Sequence, residues 1–547
     1  MGRLLDKLGA SIGFFLSLTR NRPLRNALLA YLLFSAVEYG TWVAFLVYAY
    51  EATGPASVGI VALILLIPAA LFAPAAAAIG DRIPRGRFLL LSYATQTLAM
   101  ATVAVAMLLG AVPLMVYAFA CLASASVTMT RPAQGAVLPA LAERADELTA
   151  ANGLMAVFEG AGVLLGPLCA AAILAFASPG GVVAAGAMAL GGATLLAATV
   201  RTPRPPTLPD EEESAPSWFE GVRLIARDRE PRLLIVLLAS RWILLGALDV
   251  LFVLMALELF DTGRSGPGVL TAALGAGGMI GGAATVALVG RRSLGPLLVL
   301  GALVFGIPII LIGMFPSPTS AIVLLAAGAV GLSLMDATGR TLLQRVVDDD
   351  VLARVFGVLE GLSMAALGLG SILVPVLVAW LGLQGSIVAF GALLPALALL
   401  GIRGLRRIDA HAVVPERALR LLSHVAMFAP LRPETLEWIA RKSTWVHAPE
   451  GGVVIAEGDA GDLYYVLSSG AVDVTRSGTW LHTFSEPGDG FGEIALLYDV
   501  PRTATVMAVE DTELLAIDRR DFLTAVTGHA EVAGAAERVA RERMPGS

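Results

Sequence analysis

Long apolar runs separated by short polar turns fill most of the chain, from about residue 24 to about residue 405. A helix needs about 20 apolar residues to cross a bilayer, and each run is long enough. The runs lie near residues 24–50, 56–79, 88–109, 113–141, 149–177, 181–200, 231–259, 266–289, 295–315, 319–346, 352–381 and 385–405. This pattern predicts an all-α polytopic membrane bundle of twelve transmembrane helices.

A polar stretch at residues 201–230 divides the runs into two sets of six. It opens with prolines that cannot continue a helix, passes through acidic residues 210–213 and ends in an amphipathic pattern. Such a pattern is typical of a helix lying on a membrane surface. Residues 1–22 have leucines on one helical face and no small-residue cleavage site, so an interfacial helix is predicted there and not a cleaved signal.

The two sets of runs repeat one another. Pro23 opens the first set and Pro231 opens the second, while Glu159 and Glu360 each belong to a Glu-Gly pair in the fifth run of a set. A duplicated helical bundle with two pseudo-symmetric halves is therefore predicted. The predicted halves are residues 23–200 and 231–405.

Composition supports a membrane protein, since 57% of residues are hydrophobic, 15% are charged and the mean hydropathy is +0.78. The net charge of -6, with no contiguous basic field, argues against a nucleic-acid partner. The chain has no phosphate-binding loop before a helix, no metal-ligand spacing and no nucleophile beside a base. The sequence therefore predicts neither an enzyme nor a metal or cofactor site.

Arginines are concentrated in every second connection between the runs. By the positive-inside rule these connections are cytoplasmic, which places both termini and the polar stretch at 201–230 on that side. Lysine is scarce relative to arginine, which is typical of a GC-rich bacterial genome. We therefore expect a multi-pass protein of a bacterial cytoplasmic membrane.

Two six-helix sets joined by a long cytoplasmic loop resemble the major facilitator superfamily, over roughly the first three quarters of the chain. Between the second and third runs, AIGDRIPRGR is similar to the cytoplasmic loop signature of that family, with Asp81, Arg82 and Arg85 in matching places. Ala77 stands where the family usually has glycine. The resemblance implies that Asp81 helps to latch the cytoplasmic gate. An ordinary positively charged loop is the alternative.

The fifth run carries Gly162, Gly166 and Pro167, a spacing similar to the glycine-proline signature of exporters in this family. Ala170 and Ala171 replace the final glycines of that signature. Residues four apart share a helix face, so the two glycines allow another helix to approach closely. The eighth run has a matching glycine stripe, which predicts a contact where the halves meet. The resemblance favours efflux over uptake.

Ionisable residues inside the runs are candidate transport and coupling residues, because a charge in hydrocarbon is costly and usually faces a water-filled cavity or a partner. The acids are Glu38, Glu159, Asp249, Asp336 and Glu360, and the bases are Arg131, Arg241 and Arg340. Acids at matching depths in the two halves suit a cavity that attracts a cation or exchanges protons. The alternative is that these residues pair with one another and only lock helices together.

After a linker at residues 406–416, the region 417–547 has no run able to cross a bilayer. Short β-rich stretches with turn glycines follow a helical segment, which predicts a C-terminal β-roll with flanking helices. Within it, FGEIALLYDVPRTATV closely resembles the phosphate-binding cassette of cyclic-nucleotide-binding domains.

The cassette has the residues that a cyclic ribonucleotide requires. Arg502 can neutralise the cyclic phosphate, whose oxygens can also accept from backbone N–H groups. Glu493 can accept from the ribose 2′-hydroxyl. The remaining candidates are Gly492, Ile494, Ala495 and Thr503. Bacterial cAMP binders commonly have serine or threonine after the arginine, so cAMP is the expected ligand and cGMP stays open. A purely structural roll is the alternative.

The expected function is a secondary transporter, a proton-coupled exporter of a small amphipathic or cationic compound, regulated by cyclic nucleotide. One alternative is a lipid or lysophospholipid transporter of the same fold. The other is a membrane-bound cyclic-nucleotide receptor that does not transport. The substrate, the sign of regulation and the oligomeric state are left open, and membrane lipids are the remaining expected partners.

Overall fold

The computed structural model describes residues 21–142, 145–200, 202, 228–285, 293–347, 349–411, 416–428, 431 and 433–527. The chain forms two compact units, a helical bundle and a C-terminal unit that begins at Val413. Several predicted features lie wholly or mainly outside the described residues. These are the N-terminal interfacial helix and the amphipathic part of the linker at 201–230.

The first half of the bundle contains seven helices because the fourth predicted span is broken. The helices are α1 (Arg22–Thr53), α2 (Ser57–Arg82), α3 (Arg85–Leu108), α4 (Pro113–Val127), α5 (Thr130–Leu141), α6 (Ala145–Leu174) and α7 (Pro179–Ala198). The break lies just before Pro132, whose ring disfavours a continuous helix through the preceding turn.

The second half contains five helices of the bundle and one short helix that follows it. They are α8 (Arg229–Leu254), α9 (Gly266–Thr285), α10 (Gly295–Met314), α11 (Pro318–Val346), α12 (Asp349–Leu400) and α13 (Ile402–His411). A π-helical turn at Met255–Leu259 extends α8. The long α12 joins two predicted spans across Gly382, whose φ of 70° is left-handed and favours glycine.

Ten helices in the described ranges are long and apolar enough to cross a membrane. The segment Arg354–Leu400 is one of the ten although it covers two predicted spans, and α2 contributes only the shorter apolar stretch Ser57–Pro68. The helical bundle is confirmed, whereas the number twelve remains a prediction.

Each half has its own buried hydrophobic cluster, and helices approach closely at glycines. In the first half, a side chain at Gly40 would lie 2.8 Å from the carbonyl oxygen of Gly166. In the second half, a side chain at Gly246 would collide with the backbone of Leu367. In each half, the first and fifth spans therefore approach each other closely at a glycine, as the internal repeat predicts.

The glycines of the fifth span do not all lie where the halves meet. Gly162 and Gly166 face α1 of their own half. The next helix face meets α9, where side chains at Gly268 and Gly275 would lie 2.5 Å from the Pro167 oxygen and 2.8 Å from the Val163 oxygen. The contact between halves thus uses Val163 and Pro167, each of which directly follows one of the two predicted glycines.

The short helix α13 is packed against the bundle and does not act as a free linker. Leu405 and Ile408 are buried, at 1% and 0% exposure. The carboxylate of Asp409 accepts hydrogen bonds from the backbone N–H of Leu294 (3.0 Å), the backbone N–H of Gly295 (3.0 Å) and the Ser293 hydroxyl (2.7 Å). It caps the first turn of α10, where N–H groups have no partner within the helix.

The C-terminal unit is the predicted antiparallel β-roll with flanking helices. Its helices are α14 (Glu416–His424), a 3₁₀ turn (Ala426–Phe428), α15 (Pro433–Lys442), α16 (Glu493–Tyr498) and α17 (Arg519–Thr527). Its strands are β1 (Thr444–Ala448), β2 (Val453–Ile455), β3 (Leu463–Ser469), β4 (Val472–Arg476), β5 (Thr479–Phe484), β6 (Gly490–Phe491), β7 (Thr505–Ala508) and β8 (Thr512–Asp518). They form two four-stranded sheets in the orders β1-β8-β3-β6 and β2-β7-β4-β5.

Candidate functional site

An ion-pair cluster lies among the helices of the first half. Arg131, at the start of α5, is 2.9 Å from Glu38 on α1 and 2.9 Å from Glu159 on α6. All three side chains are partly accessible, with 46%, 24% and 27% of their surface exposed. One guanidinium therefore serves two carboxylates, which leaves this cluster with one acid in excess.

Hydroxyl groups of α1 complete the cluster around Glu159. The Tyr39 hydroxyl donates to the Glu159 carboxylate at 2.8 Å, and Tyr31 donates to its other oxygen. The Ser35 hydroxyl lies at 3.5 Å. These three residues were not predicted from the sequence. They follow one helical face together with Glu38, and that spacing could have identified them.

A second cluster lies in the other half. Asp336 on α11 is 2.9 Å from Arg241 on α8 and 3.0 Å from Arg340 one turn later. Arg340 also pairs with Glu360 on α12 at 2.9 Å. Arg241 is almost fully buried and its guanidinium stacks over the Trp242 ring at 5.0 Å. Two acids and two bases balance here.

The two clusters contain the same repeated pair with different neighbours. The Arg131–Glu159 and Arg340–Glu360 pairs join the fourth and fifth spans of each half at the same distance, 2.9 Å. The first span of the first half adds an acid, Glu38. The first span of the second half instead adds a base, Arg241, through an intervening aspartate. The two clusters therefore differ in the balance of their charges.

Asp249 has a different environment from the other acids. Its carboxylate accepts a hydrogen bond from the Trp42 indole N–H at 3.1 Å, so it links α8 to α1 of the other half. Among the described residues, no arginine or lysine forms an ion pair with this carboxylate. Two more polar links lie further along: Tyr50 donates to Glu258 in the π-helical turn at 3.2 Å, and Glu51 pairs with Arg264 in the loop before α9.

The predicted gate residues lie where α2 ends and α3 begins. Asp81 and Arg82 are the last residues of α2, and Arg85 is the first residue of α3 and is exposed. The described structure does not extend to the side chains of Asp81 and Arg82, so their role as a latch remains a prediction.

In the C-terminal unit, Arg502 lies buried in the cassette, with 5% of its side chain exposed. Its guanidinium donates to the carbonyl oxygen of Gly492 at 3.0 Å and to that of Leu463 at 2.7 Å. The Asp462 carboxylate lies 3.7 Å away. Burial lowers the pKa of Arg502, and the nearby Tyr465 and acidic side chains oppose this effect. The guanidinium is thus held in a fixed orientation.

The backbone around Arg502 forms a narrow cradle. Gly492 has a φ of 93°, and a side chain there would lie 2.7 Å from the Arg502 guanidinium. The next residue, Glu493, is buried and begins α16. Ile494 and Ala495 form the first turn of this helix. Asp499, Val500 and Pro501, between the helix and Arg502, bend the chain back, so Gly492 and Arg502 lie side by side although they are ten positions apart in the chain.

Thr503 directly follows Arg502 in the chain. Its carbonyl accepts from the Arg476 guanidinium at 2.9 Å, which ties it to the end of β4. Its side chain is partly exposed. The backbone of Arg502 itself is held by Asp459 and Gly458 through two hydrogen bonds of 2.8 Å. The structure thus brings all six cassette candidates into one short loop-helix segment.

Known proteins match both units. Residues 27–366 match the Major Facilitator Superfamily, and residues 445–529 match the cyclic nucleotide-binding domain. The cAMP-dependent protein kinase regulatory subunit of Yarrowia lipolytica is 35% identical over 107 residues, which cover 20% of this chain and 28% of that protein. The corresponding subunit of Aspergillus niger is 37% identical over 102 residues, covering 18% and 25%. The chain thus spans about a quarter of the length of these relatives.

Solved structures resemble the C-terminal unit. The regulatory domain of Toxoplasma gondii PKA with cAMP has 21% identity and a TM-score of 0.23, covering 26% of this chain and 56% of that one. The sensor domain of the regulator DNR from Pseudomonas aeruginosa has 24% identity and a TM-score of 0.22, covering 24% and 89%. The superfamily match covers more than half of the sequence, so this multi-pass membrane protein belongs to the Major Facilitator Superfamily and carries a C-terminal cyclic nucleotide-binding domain.

Proposed function

We propose that the protein is a proton-coupled exporter of a small amphipathic or cationic compound, and that cAMP binding to the C-terminal domain regulates it. The observation that carries the transport proposal is the charge inside the bundle. Among the eight candidate transport residues, all in described spans, five are acids and three are bases, so the candidate acids exceed the candidate bases by two. The acids are Glu38, Glu159, Asp249, Asp336 and Glu360, and the bases are Arg131, Arg241 and Arg340.

The excess negative charge arises at two places. One place is the first-half cluster, where Arg131 is shared by Glu38 and Glu159. The other is Asp249, which meets a neutral indole. A charge in a membrane interior is costly unless a proton or a cation neutralises it. Protons and a cationic substrate therefore compete for the same carboxylates, and such competition couples the export of one to the import of the other.

The contacts between halves fit a carrier that opens one end at a time. Trp42–Asp249 and Tyr50–Glu258 join α1 to α8 and its extension, and Glu51–Arg264 joins α1 to the loop before α9. Towards the opposite end of α9, a side chain at Gly282 would meet nothing within 4 Å. Protonation of Asp249 removes the charge that the Trp42 hydrogen bond stabilises, so it weakens one of the links that must break.

The cyclic-nucleotide proposal rests on Arg502 and Glu493 in one cradle. An anionic phosphate can replace the Gly492 and Leu463 carbonyls as the acceptor for the Arg502 guanidinium and make a stronger, charge-assisted bond. We choose cAMP because the relatives that match this domain are named as cAMP-dependent regulatory subunits. Neither family is typically catalytic, so the proposal includes no enzymatic step.

Transport is tested in liposomes that contain the purified full-length protein and a pH-sensitive dye. We expect an amphipathic cation such as ethidium to move against a proton gradient with matching proton flux, and saturating cAMP on the domain side to change the rate about fivefold or more. Lysophosphatidylethanolamine in place of ethidium tests the lipid alternative. No movement of either compound, with cAMP still bound, would leave a receptor that does not transport.

Regulation requires a mechanical path from the domain to the bundle, and α13 supplies one. Only residues 412–415 separate it from α14 of the nucleotide-binding unit. We expect Asp409→Asn to reduce the effect of cAMP on transport several-fold while cAMP affinity stays unchanged, because a neutral amide caps α10 less strongly. Ser293→Ala, which removes a single hydroxyl donor to Asp409, should have a smaller effect. An unchanged cAMP response in Asp409→Asn would show that the signal takes another route.

A further inference from the structure

At one end of the bundle, α1 and α3 begin and α7 ends. Two hollows of about 520 Å³ and 580 Å³ lie on either side of the last turn of α7. The first is lined by Arg22, Pro23, Arg25, Asn26 and Thr199. The second is lined by Pro84, Gly86, Arg87, Leu90, Ala197, Ala198, Val200 and Thr202. Neither hollow is part of the transport clusters described above.

The charge of this corner is one-sided. Arg22 and Arg87 are exposed, and Arg25 is partly exposed and donates to the neutral Asn26 amide oxygen. Among the described residues that line the two hollows there is no carboxylate. Two guanidinium groups therefore line one hollow and one lines the other, without a lining carboxylate to balance them among the described residues.

In the second half, the corresponding start of the third helix binds a carboxylate. There Asp409 supplies a carboxylate to the first turn of α10, the third helix of its half. In the first half the third helix is α3, and its Gly86 N–H donates at 2.8 Å to the hydroxyl of Thr202. Side chains at Gly86 and Gly295 would each lie 2.7 Å from the segment that follows the last span. A neutral hydroxyl thus occupies the position of a carboxylate.

The surface next to the hollows is apolar. Leu29 lies one turn after Arg25, Leu91 lies one turn after Arg87, and Leu195 lies one turn before Thr199. They are 39%, 43% and 74% exposed. Residues four apart share a helix face, so each polar site continues into an apolar strip along the bundle. A basic site at a helix end above exposed leucines is the arrangement that a phospholipid requires.

We propose that this corner binds anionic phospholipid headgroups, with Arg22 and Arg25 contributing from one hollow, Arg87 from the other, and the acyl chains along α1, α3 and α7. The lipid supplies the negative charge that Asp409 supplies in the second half. The site joins the ends of α1 and α3, which move when the first half tilts. It is independent of the transported substrate and of cyclic nucleotide.

The test measures phosphatidylglycerol bound to the detergent-purified full-length protein by native mass spectrometry. The triple variant Arg22→Gln, Arg25→Gln, Arg87→Gln should bind at least about tenfold less than the wild type, on the usual scale of one basic contact to an anionic headgroup. A matched control replaces three exposed arginines of α13, Arg403, Arg406 and Arg407, by glutamine. This control should bind as the wild type does.

Three outcomes would overturn the proposal. Equal losses in the two triple variants would mean general attraction to a basic surface. Displacement of the lipid by inorganic phosphate alone would mean a site for free phosphate. Increased lipid binding when acidic residues 210–213 are replaced by their amides would mean that the chain itself competes for the corner. Phosphatidylcholine should bind more weakly than phosphatidylglycerol to the wild type, and equally to wild type and variant.

Discussion

Replacing Asp249 by asparagine should reduce proton-driven ethidium transport in liposomes to the level of protein-free liposomes, while folded protein remains in the membrane. The amide keeps the shape of the carboxyl group and its oxygen still accepts from the Trp42 indole, but it cannot bind or release a proton. Glu38→Gln should have a similar effect, since it removes the excess charge of the cluster around Arg131. Both variants should elute as the wild type does in size-exclusion chromatography.

Exchange without a gradient distinguishes coupling from general damage. Asparagine imitates a protonated Asp249, so the halves of Asp249→Asn should still rearrange around substrate and exchange labelled ethidium across the membrane. Asp228→Asn is the matched control, because Asp228 precedes α8 and lies outside the spans. If Asp249→Asn and Glu38→Gln both keep proton-driven transport, protons bind elsewhere or the carrier is uncoupled.

The sequence alone predicts the helical bundle well because hydropathy is a local property. Its twofold repeat is visible in Pro23 and Pro231. In the structure, the first and fifth spans approach closely at a glycine in both halves. The break before Pro132 was harder to interpret, because a proline near Arg131 is compatible with a helix end or a continuous helix. Only the folded structure shows that Arg131 pairs with two acids, Glu38 and Glu159.

Interactions distant in sequence are the part that sequence analysis could not supply. Asp409 lay in a segment interpreted as a linker, and its partners at Leu294 and Gly295 are more than a hundred residues away. Asp249 was a candidate for its position in a span, but its indole partner Trp42 is in the other half. Capping and hydrogen bonding between helices depend on packing, which an apolar pattern does not encode.

The nucleotide cradle was more accessible to sequence analysis because its main residues are contiguous. Glu493 and Arg502 belong to one segment whose turn is specified by its own glycine and proline. The orientation of Arg502 was not predictable, since Leu463 and Asp462 belong to the chain around the start of β3. The sequence therefore predicts these functional groups, and the structure shows what holds Arg502.

The hydrogen bonds that hold the Arg502 guanidinium determine how much Arg502→Ala should weaken cAMP binding. Full-length protein with this substitution should bind cAMP at least about tenfold more weakly in calorimetry, because a buried phosphate would lose its charge-assisted hydrogen bonds. Arg502→Lys keeps the positive charge but cannot donate to Gly492 and Leu463 together, so its affinity should lie between those of the wild type and Arg502→Ala.

The control is Arg520→Ala, which removes the same charge from an exposed position on α17. It should leave cAMP affinity unchanged, so a loss confined to position 502 reports the cradle and not the net charge of the domain. Unfolding measured without nucleotide should show whether Arg502→Ala also loosens the loop that its guanidinium ties to β3. If Arg502→Ala binds cAMP as the wild type does, the phosphate lies elsewhere and the cradle is structural. Tighter binding of cGMP than of cAMP by the wild type would retain the site and change its ligand, with Thr503 as the residue to vary next.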